Sequence, residues 1–266
     1  MRTDPRIIIK SGGEMASGIA VRLYRAGFRS IVMLETPHPL AVRRAVSFCE
    51  AVHDGEQQVE GITARRADRP EDIPNLWRNG MLAVAVDPEW ALIPLLAPQI
   101  TIDAVLAKRN LGTAISEAPL VVALGPGFTA GRDAHYVIET NRGHDLGRVY
   151  AKGSAQPDTG IPGNIGGYTK ERVLRAPVDG IVESCREIGS PIKAGEAVCV
   201  VGGVPVPAAI DGIVRGCVRA GTRARAGLKL GDVDPRGLPE YCVTVSEKAR
   251  ALGGAVLEVV CGHLNR

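Results

Sequence analysis

The residues best suited to chemistry lie between positions 125 and 147, in the stretch GPGFTAGRDAHYVIETNRGHDLG. It follows the apolar run PLVVAL and holds five glycines, two histidines, two arginines, two aspartates and one glutamate. Polar, glycine-rich segments that leave a buried strand are where α/β proteins commonly bind ligands. A GPGF turn can aim backbone N–H groups at an anion. The ligand-binding residues predicted here are Gly125, Gly127, Phe128, Arg142 and His144.

The same stretch offers a second interpretation, as a metal or acid–base site. Its histidines are nine positions apart, so they do not share one helix face. Imidazole and carboxylate groups could still converge as ligands after folding. The alternative is that each histidine is a hydrogen-bonded structural residue and that a Glu139–Arg142 ion pair closes a strand and turn. The metal-ligating candidates are Asp133, His135, Glu139 and His144.

A second glycine-rich loop, SGGEMASG, follows the apolar run RIIIK and precedes the helical pattern IAVRLYRAGF. Free N–H groups at such a helix start attract phosphate. The spacing is neither G-x-G-x-x-G nor that of a phosphate-binding P-loop, so the glycines could simply allow a tight turn. Glu35 ends the next strand, where a carboxylate can bind a ribose hydroxyl. The predicted nucleotide-binding residues are Gly12, Gly13, Ser17, Gly18 and Glu35.

A third loop, AKRNLGT, follows the strand-like run ITIDAVL. Lys108 and Arg109 would lie at the carboxyl edge of the sheet, where they could bind a phosphate or carboxylate. The alternative is a solvated turn that carries two charges.

The elements that would position these loops alternate between strands and helices. Further apolar runs, GITAR, MLAVAVD and LVVALG, are separated by the helical patterns RPEDIPNLWRN and PEWALIPLLA. Runs that are apolar throughout suit strands covered on both faces. Residues 1–165 are therefore predicted to form a doubly wound, mostly parallel, Rossmann-like α/β domain.

Residues 171–236 contain an internal repeat. APVDGIVESCREIGSPIKAG, from Ala176, matches AAIDGIVRGCVRAGTRARAG, from Ala208. The pattern resembles the two halves of a biotinyl/lipoyl-type barrel-sandwich hybrid, a small all-β module. The turn that carries the modified lysine in such carriers has none here, which predicts no biotin or lipoate. The apolar residues 204–207 of that turn are predicted to contact a partner or, alternatively, to cap the module's own core.

Residues 237–266 are predicted to pack back on the α/β domain, with a strand at YCVTV and a helix capped by Ser246.

The six cysteines show no C-x-x-C spacing and are predicted to be mostly small core residues of a reduced, cytoplasmic protein. A net charge of +3, 4% aromatics and no dense basic run argue against nucleic-acid binding. No apolar run is long enough to predict a membrane span.

Several segments together resemble one family, the accessory proteins of selenium-dependent molybdenum hydroxylases. They include GGEMASGIAVRLYRAGF, DAVLAKRNLGT, ALGPGFTAGRDAHYVIETNRGHDLGRV, TGIPGNIGGY, GDVDPRG and SEKARALGGAVLEVV. The resemblance covers nearly the whole chain. It implies a role in maturing these hydroxylases, with the molybdopterin cofactor or a nucleotide as ligand and the hydroxylase or other maturation factors as partners.

Three functions follow as hypotheses. The first is an accessory factor that binds a molybdopterin-type or nucleotide ligand at the sheet edge. The second is an NAD(P)-dependent oxidoreductase, although the chain lacks Tyr-x-x-x-Lys or a comparable hydride-transfer constellation. The third is a non-enzymatic docking or interaction protein. A second copy of the chain, in a homo-oligomer, is a further predicted partner. The residues themselves specify no reaction.

Overall fold

The computed structural model describes residues 4–266, which form two compact units. Unit 1 comprises the described residues up to Pro39, together with Ser47–Thr159 and Val245–Arg266. Unit 2 comprises Leu40–Val46 and Gly160–Thr244. The chain returns to unit 1 after residue 244, so unit 2 is formed largely by a segment inserted into unit 1.

Three boundaries differ from the predicted ones, because residues 40–46, 160–165 and 237–244 belong to unit 2. For residues 40–46 and 237–244 the physical reason is a set of buried polar contacts around Arg43. Its guanidinium donates to the backbone carbonyls of Tyr241 at 2.6 Å and Thr244 at 3.0 Å. Contacts between such distant segments leave no mark in the local sequence pattern.

Unit 1 is built on one nine-stranded sheet. The helices of the chain are α1 (Glu14–Arg25), α2 (Ala51–Asp54), α3 (Ile73–Arg78), α4 (Leu92–Leu96), α5 (Glu240–Val243) and α6 (Glu247–Leu264). The strands of the sheet are β1 (Ile7–Lys10), β2 (Ile31–Glu35), β3 (Glu56–Val59), β4 (Ile62–Ala67), β5 (Leu82–Val86), β6 (Ile100–Asp103), β7 (Leu120–Leu124), β8 (Tyr136–Ile138) and β9 (Val149–Tyr150).

The strand order of this sheet is β3-β4-β5-β2-β1-β6-β7-β8-β9. The pairs from β4 to β8 are parallel, and β3 and β9 add antiparallel edges. The central strands β1, β2, β6 and β7 are buried almost throughout, as their apolar runs predicted. The prediction of a mostly parallel α/β sheet is confirmed.

Helices α1 and α6 pack closely together within unit 1. The approach depends on small residues, because a Cβ at Gly18 would lie 2.6 Å from the Cβ of Ala249. A Cβ at Gly253 would likewise lie 3.0 Å from the carbonyl oxygen of Gly18. Ser246 caps α6 by accepting the Ala249 N–H, which confirms the predicted helix start.

Unit 2 contains two four-stranded sheets, with the orders β10-β17-β15-β12 and β14-β13-β11-β16. All of their pairs are antiparallel. The strands are β10 (Val173–Arg175), β11 (Gly180–Cys185), β12 (Pro191–Ile192), β13 (Ala197–Val201), β14 (Val204–Pro207), β15 (Gly212–Cys217), β16 (Arg223–Ala224) and β17 (Lys229–Asp234).

The internal repeat appears in unit 2 as an exchange of hydrogen bonds between its halves. The Asp179 carboxylate accepts the Ala226 N–H at 2.7 Å, and the equivalent Asp211 accepts the Ala194 N–H at 2.8 Å. The strands follow the same rule: β11 pairs with β16 of the second half, and β15 pairs with β12 of the first. Each half therefore completes the other around an approximate twofold axis.

Two local predictions for this unit are wrong. The segment YCVTV is not a strand, since helix α5 occupies most of it. Residues 204–207 do not form an open turn, because they are strand β14 and pair with β13. Val206 is buried in the unit's core, as in the core-cap alternative, whereas Val204 is partly exposed.

Among residues 4–266, none of the helices combines the length and apolarity needed to cross a membrane.

Candidate functional site

The strand order of unit 1 reverses direction between β1 and β6. The chain proceeds from β1 to β2 on one side and later to β6 and β7 on the other. In open parallel sheets, ligands bind at the carboxyl ends of strands where such a reversal leaves a crevice. Lys10 and Asp103 are register partners at this position. The glycine loop and the 104–113 loop leave the sheet directly after them.

A buried charge cluster occupies this strand end. The Lys10 ammonium donates to the Thr113 hydroxyl at 2.6 Å and to Glu117 at 2.7 Å. It also lies 3.6 Å from the centroid of the Trp90 ring. The Thr113 hydroxyl donates to Asp103 at 2.6 Å. Burial lowers the pKa of Lys10, and its acidic partners oppose that shift. The cluster ties the loop after β6 to the end of β1.

The glycine loop after β1 is already hydrogen-bonded within the protein. The Gly12 N–H donates to Glu35 at 3.1 Å, and the Gly13 N–H donates to Ser11 at 3.1 Å. Burial raises the pKa of Glu35, while the Gly12 bond opposes the rise. Glu35, predicted to bind a ribose, therefore holds the glycine loop in place. The N–H groups of Gly12 and Gly13, predicted to bind a phosphate, both have protein partners.

Two further predicted ligand residues have packing roles. Ser17 is fully buried, donates to the Gly12 carbonyl at 2.9 Å and accepts the Phe48 N–H at 2.8 Å. Gly18 is buried inside α1, where its missing side chain admits Ala249. Neither residue can reach a ligand in this conformation.

The loops after β6 and β7 meet, as their predicted common role requires. Gly127 has a φ of +103°, and a Cβ there would lie 2.5 Å from the Cα of Arg109. Gly125 has a φ of +81°, and a Cβ there would lie 2.7 Å from the Thr140 hydroxyl oxygen. Both positions therefore require glycine. Phe128 is buried and anchors the loop in the core.

A cationic cluster forms where these loops approach α6. Burial, assisted by the charges of Lys108 and Arg142, lowers the pKa of Lys248 to about 8. The carboxylates of Glu14 and Glu139 act in the opposite direction. Such effects require proximity, so two predicted ligand residues share one neighbourhood with Lys248. Lys248 was not predicted from the sequence, because it lies over a hundred positions from Lys108 and Arg142 on another element.

The cations of this cluster also have exposed acidic neighbours. Arg142 pairs with Glu247 on the first turn of α6. The Nζ atom of Lys108 lies 3.7 Å from Oδ1 of Asp158, and both side chains are about half exposed. Ion pairs of this kind contribute little stability. A ligand anion could therefore replace Glu247 and Asp158 as the partner of these cations with little loss of free energy. Arg109, the neighbour of Lys108, is exposed.

The four candidate metal ligands are engaged separately. Asp133 pairs with Arg132 at 2.9 Å. The Nδ1 atom of His135 accepts a backbone N–H of β7 at 2.9 Å, as in the structural-histidine alternative. The buried Glu139 carboxylate accepts three backbone N–H groups rather than pairing with Arg142. His144 is exposed. Within residues 4–266, these four do not assemble into a group of metal-ligating atoms.

Unit 2 holds a constellation that sequence reasoning missed. The sulfur atoms of Cys185, Cys199 and Cys217 all lie within 4.8 Å of one another. Hydrogen bonds from the other two thiols lower the pKa of Cys185, whereas those of Cys199 and Cys217 are raised. One signal was available: Cys185 and Cys217 occupy equivalent positions in the two halves of the repeat. Cys199 and Cys217 are buried in the core of unit 2 and Cys185 packs against it, as predicted for most of the cysteines, but their convergence was not predicted.

Comparison with known proteins adds one clear relative. The chain is 48% identical over 254 residues to "Uncharacterized protein YqeB" of Escherichia coli (strain K12), which covers 96% of this chain and 47% of YqeB. The chain thus spans about half the length of the curated relative it matches. No protein-family model matches it.

Solved structures show only remote likeness. One is TcdA (CsdL), with a TM-score of 0.31 and 12% identity, covering 99% of this chain and 89% of that one. Another is the product-bound ectoine utilization protein EutE (DoeB) of Ruegeria pomeroyi, with a TM-score of 0.24 and 11% identity. That match covers 87% of this chain and 58% of the other. Neither likeness is strong enough to carry a structural or functional argument.

Proposed function

We propose that this protein is an accessory factor in the maturation of selenium-dependent molybdenum hydroxylases and that it binds a phosphate-bearing ligand. The ligand site is the carboxyl edge of the nine-stranded sheet, at the reversal between β1 and β6. The accessory role rests on the family resemblance of the sequence motifs. The ligand class rests on the chemistry of the edge itself.

The observation that carries the ligand class is the cationic cluster of Lys108, Arg142 and Lys248. Three positive charges share one neighbourhood, and their mutual repulsion contributes to the low pKa of Lys248. A bound phosphate would relieve that repulsion and keep Lys248 protonated. Arg142 would supply a planar fork of donors, while the lysines would act as point charges.

Molybdopterin and its nucleotide forms carry phosphate groups, and the residues at the edge fit that chemistry. Lys108, Arg142 and Lys248 would hold the phosphate, and Gly127 would allow the backbone to pass close to it. The cofactor supplies the metal-centred chemistry when bound. The chain's own contribution is to bind and orient it.

Two finer architectural assignments belong to the same proposal. Unit 1 is a Rossmann-like doubly wound domain, which the strand reversal beside β1 supports. Unit 2 is a barrel-sandwich hybrid of the biotinyl/lipoyl type, which the exchanged hydrogen bonds between its halves support. The module retains the architecture of a carrier without the carrier lysine.

Calorimetric titration tests the ligand class. Molybdopterin nucleotide, ATP, NAD and inorganic phosphate are titrated into the unmodified protein and into Lys248→Gln and Arg142→Gln. Each variant should bind the preferred ligand about tenfold more weakly or worse, because one charged hydrogen bond is lost. Lys152→Gln, at an exposed position of unit 1, is the matched control and should bind normally. Equal affinity in Lys248→Gln, or no binding of any compound, would disprove the proposed site.

A genetic experiment tests the accessory role separately. Deletion of the gene should lower the activity of a selenium-dependent molybdenum hydroxylase in the same cells, while molybdenum enzymes without selenium stay active. Complementation with Lys152→Gln should restore activity, and complementation with Lys248→Gln should not. Unchanged hydroxylase activity in the deletion strain would refute the role.

A further inference from the structure

Three cysteine side chains of unit 2 converge from three strands. Cys185 ends β11, Cys199 lies within β13, and Cys217 ends β15. Cys185 and Cys199 are directly opposite each other in the antiparallel pair of β11 and β13. Cys217 comes from the other sheet, and its sulfur lies 2.8 Å from that of Cys185. The thiols therefore meet where the two sheets face each other.

The distances suit a single metal ion. Two sulfurs that bind one zinc ion at about 2.3 Å in tetrahedral geometry lie about 3.8 Å apart. The three sulfurs here all lie within 4.8 Å of one another, and the 2.8 Å pair of Cys185 and Cys217 would have to separate by about 1 Å to admit an ion. No imidazole or carboxylate among the described residues joins the group. Thiolates select soft ions such as Cu(I) and zinc over magnesium, calcium and manganese.

We propose that Cys185, Cys199 and Cys217 form a sulfur-only site for one soft metal ion with a filled d shell, either Cu(I) or Zn(II). Cu(I) needs only the three sulfurs, whereas Zn(II) needs a fourth ligand. In both cases three S–metal bonds form, the thiols release their protons to solvent, and no electron is transferred.

The surroundings support access and charge balance. A cavity of about 240 Å³, lined by residues 184–186 and 197–200, opens beside Cys185 and Cys199. It admits the ion and, for zinc, one water molecule as the fourth ligand. The Nε atom of Arg44 donates to the Cys217 carbonyl at 2.9 Å, which places a positive charge beside the thiolates. Arg186 lines the cavity as a second cation.

The scaffold also explains why the site is pre-formed. Cys185 and Cys217 are equivalent residues of the repeat, and the exchange of bonds between the halves brings them together at the approximate twofold axis. Cys199 joins them through its pairing with Cys185. The second half offers no counterpart, because Gly231 lies at the position equivalent to Cys199. Cys199 is therefore the third ligand without a symmetry-related copy, and the unit has one three-cysteine site rather than two.

Anaerobic metal titration of the reduced full chain is the test. Cu(I), Zn(II) and, as a spectroscopic probe, Cd(II) are added against a competing chelator, while ultraviolet sulfur-to-metal charge-transfer absorption is followed. We expect one equivalent to bind, with three thiolates bound per ion. Metal analysis of the chain purified anaerobically from cells supplied with both metals identifies which of the two ions it holds. Cys185→Ser should weaken binding about 100-fold or more, since outer-shell changes alone cost up to that much. Cys261→Ser, a partly buried cysteine of α6, should leave binding unchanged.

A second readout uses the unmodified chain and does not depend on the folding of any variant. Alkylation followed by peptide mapping should show Cys185 and Cys199 protected when metal is bound, and Cys261 modified at the same rate with and without it. No stoichiometric binding, binding that persists in Cys185→Ser, or metal-independent alkylation of Cys185 would each overturn the site. A Cys185–Cys217 disulfide that forms in place of metal binding under these conditions would do the same.

Discussion

The most informative single residue is Lys248, because its charge is predicted to control ligand binding. Its pKa of about 8 means that the ammonium is mostly charged at pH 7 and mostly neutral at pH 9. If only the charged form binds phosphate, affinity should fall about tenfold between these values. Calorimetry in buffers of different ionisation enthalpy should also detect proton uptake on binding at pH 8. Lys248→Arg, which stays charged, should abolish the pH dependence, and an unchanged dependence would contradict the assignment.

The same residue predicts a conflict between stability and function. The pKa of Lys248 is lower in the folded chain than its ordinary value of 10.5, so the unfolded chain binds more protons between pH 8 and 10.5. The contribution of Lys248 to the free energy of unfolding therefore increases as the pH rises from 8 to 10.5. It is lowest below pH 8. Lys248→Met should raise the free energy of unfolding at pH 7 while it weakens ligand binding. Urea denaturation at pH 7 measures the effect, and a destabilised variant would contradict it.

Burial lowers the pKa of Lys10 as well, but removal of Lys10 should destabilise the chain, because its ammonium is hydrogen-bonded to Glu117 beside the buried Asp103. Lys10→Met would leave Asp103 and Glu117 without their cation in a buried place, so we expect a loss of about 3–5 kcal/mol. Lys152→Met, at an exposed position, should change stability by no more than about 0.5 kcal/mol. Urea unfolding of both variants checks the difference. Equal stabilities would show that the cluster contributes nothing.

Residue types predicted the neighbourhood of the site better than they predicted its members. The loops after β1, β6 and β7 were identified because polar, glycine-rich segments follow apolar runs. Ser17 and Gly18 have buried packing roles that the sequence did not indicate, because a glycine that admits another helix looks the same in sequence as one that admits a phosphate. Lys248 and the three cysteines were missed because their partners are distant in the chain.

At the scale of elements, the packing of α1 on α6 makes a sharp prediction about glycine. Gly18→Ala would place a Cβ 2.6 Å from Ala249 and should cost about 1–3 kcal/mol through overpacking. Gly254→Ala meets open space inside α6 and should add about 1 kcal/mol through helix propensity. Thermal unfolding of both variants distinguishes them. Ala249→Gly should partly rescue Gly18→Ala, and its failure to do so would point to another cause.

The element predictions succeeded where periodicity was strong and failed where tertiary contacts decide. Continuous apolar runs identified the central parallel strands, and Ser246 identified the start of α6. The segment around Tyr241 has strand-like composition, yet it forms a helical turn whose carbonyls accept from Arg43. Residues 204–207 looked like a turn because prolines are rare inside sheets. They form an edge strand, where a missing donor is tolerated.

At the scale of the whole molecule, the absence of a lysine from the turn between the two halves of unit 2 predicts that the chain carries neither biotin nor lipoate. Lys193, the amine nearest the repeat's turns, pairs with Asp211 at 2.8 Å instead of standing free in a hairpin. Intact-mass measurement after co-expression with biotin and lipoate ligases should give the unmodified mass. A mass increase equal to either group would contradict the prediction. A genuine carrier module expressed in the same cells provides the positive control.

The pairing of α1 with α6 also governs the order in which the chain can fold as it is synthesised. Helix α1 emerges from the ribosome early, whereas α6 is translated only after the whole of unit 2. The face of α1 around Gly18, which packs against α6 in the folded chain, therefore stays exposed to solvent while unit 2 is synthesised. Unit 2 has time to fold before unit 1 can close. A translational pause within unit 2 would lengthen the period in which unit 1 is open to aggregation or to chaperone binding.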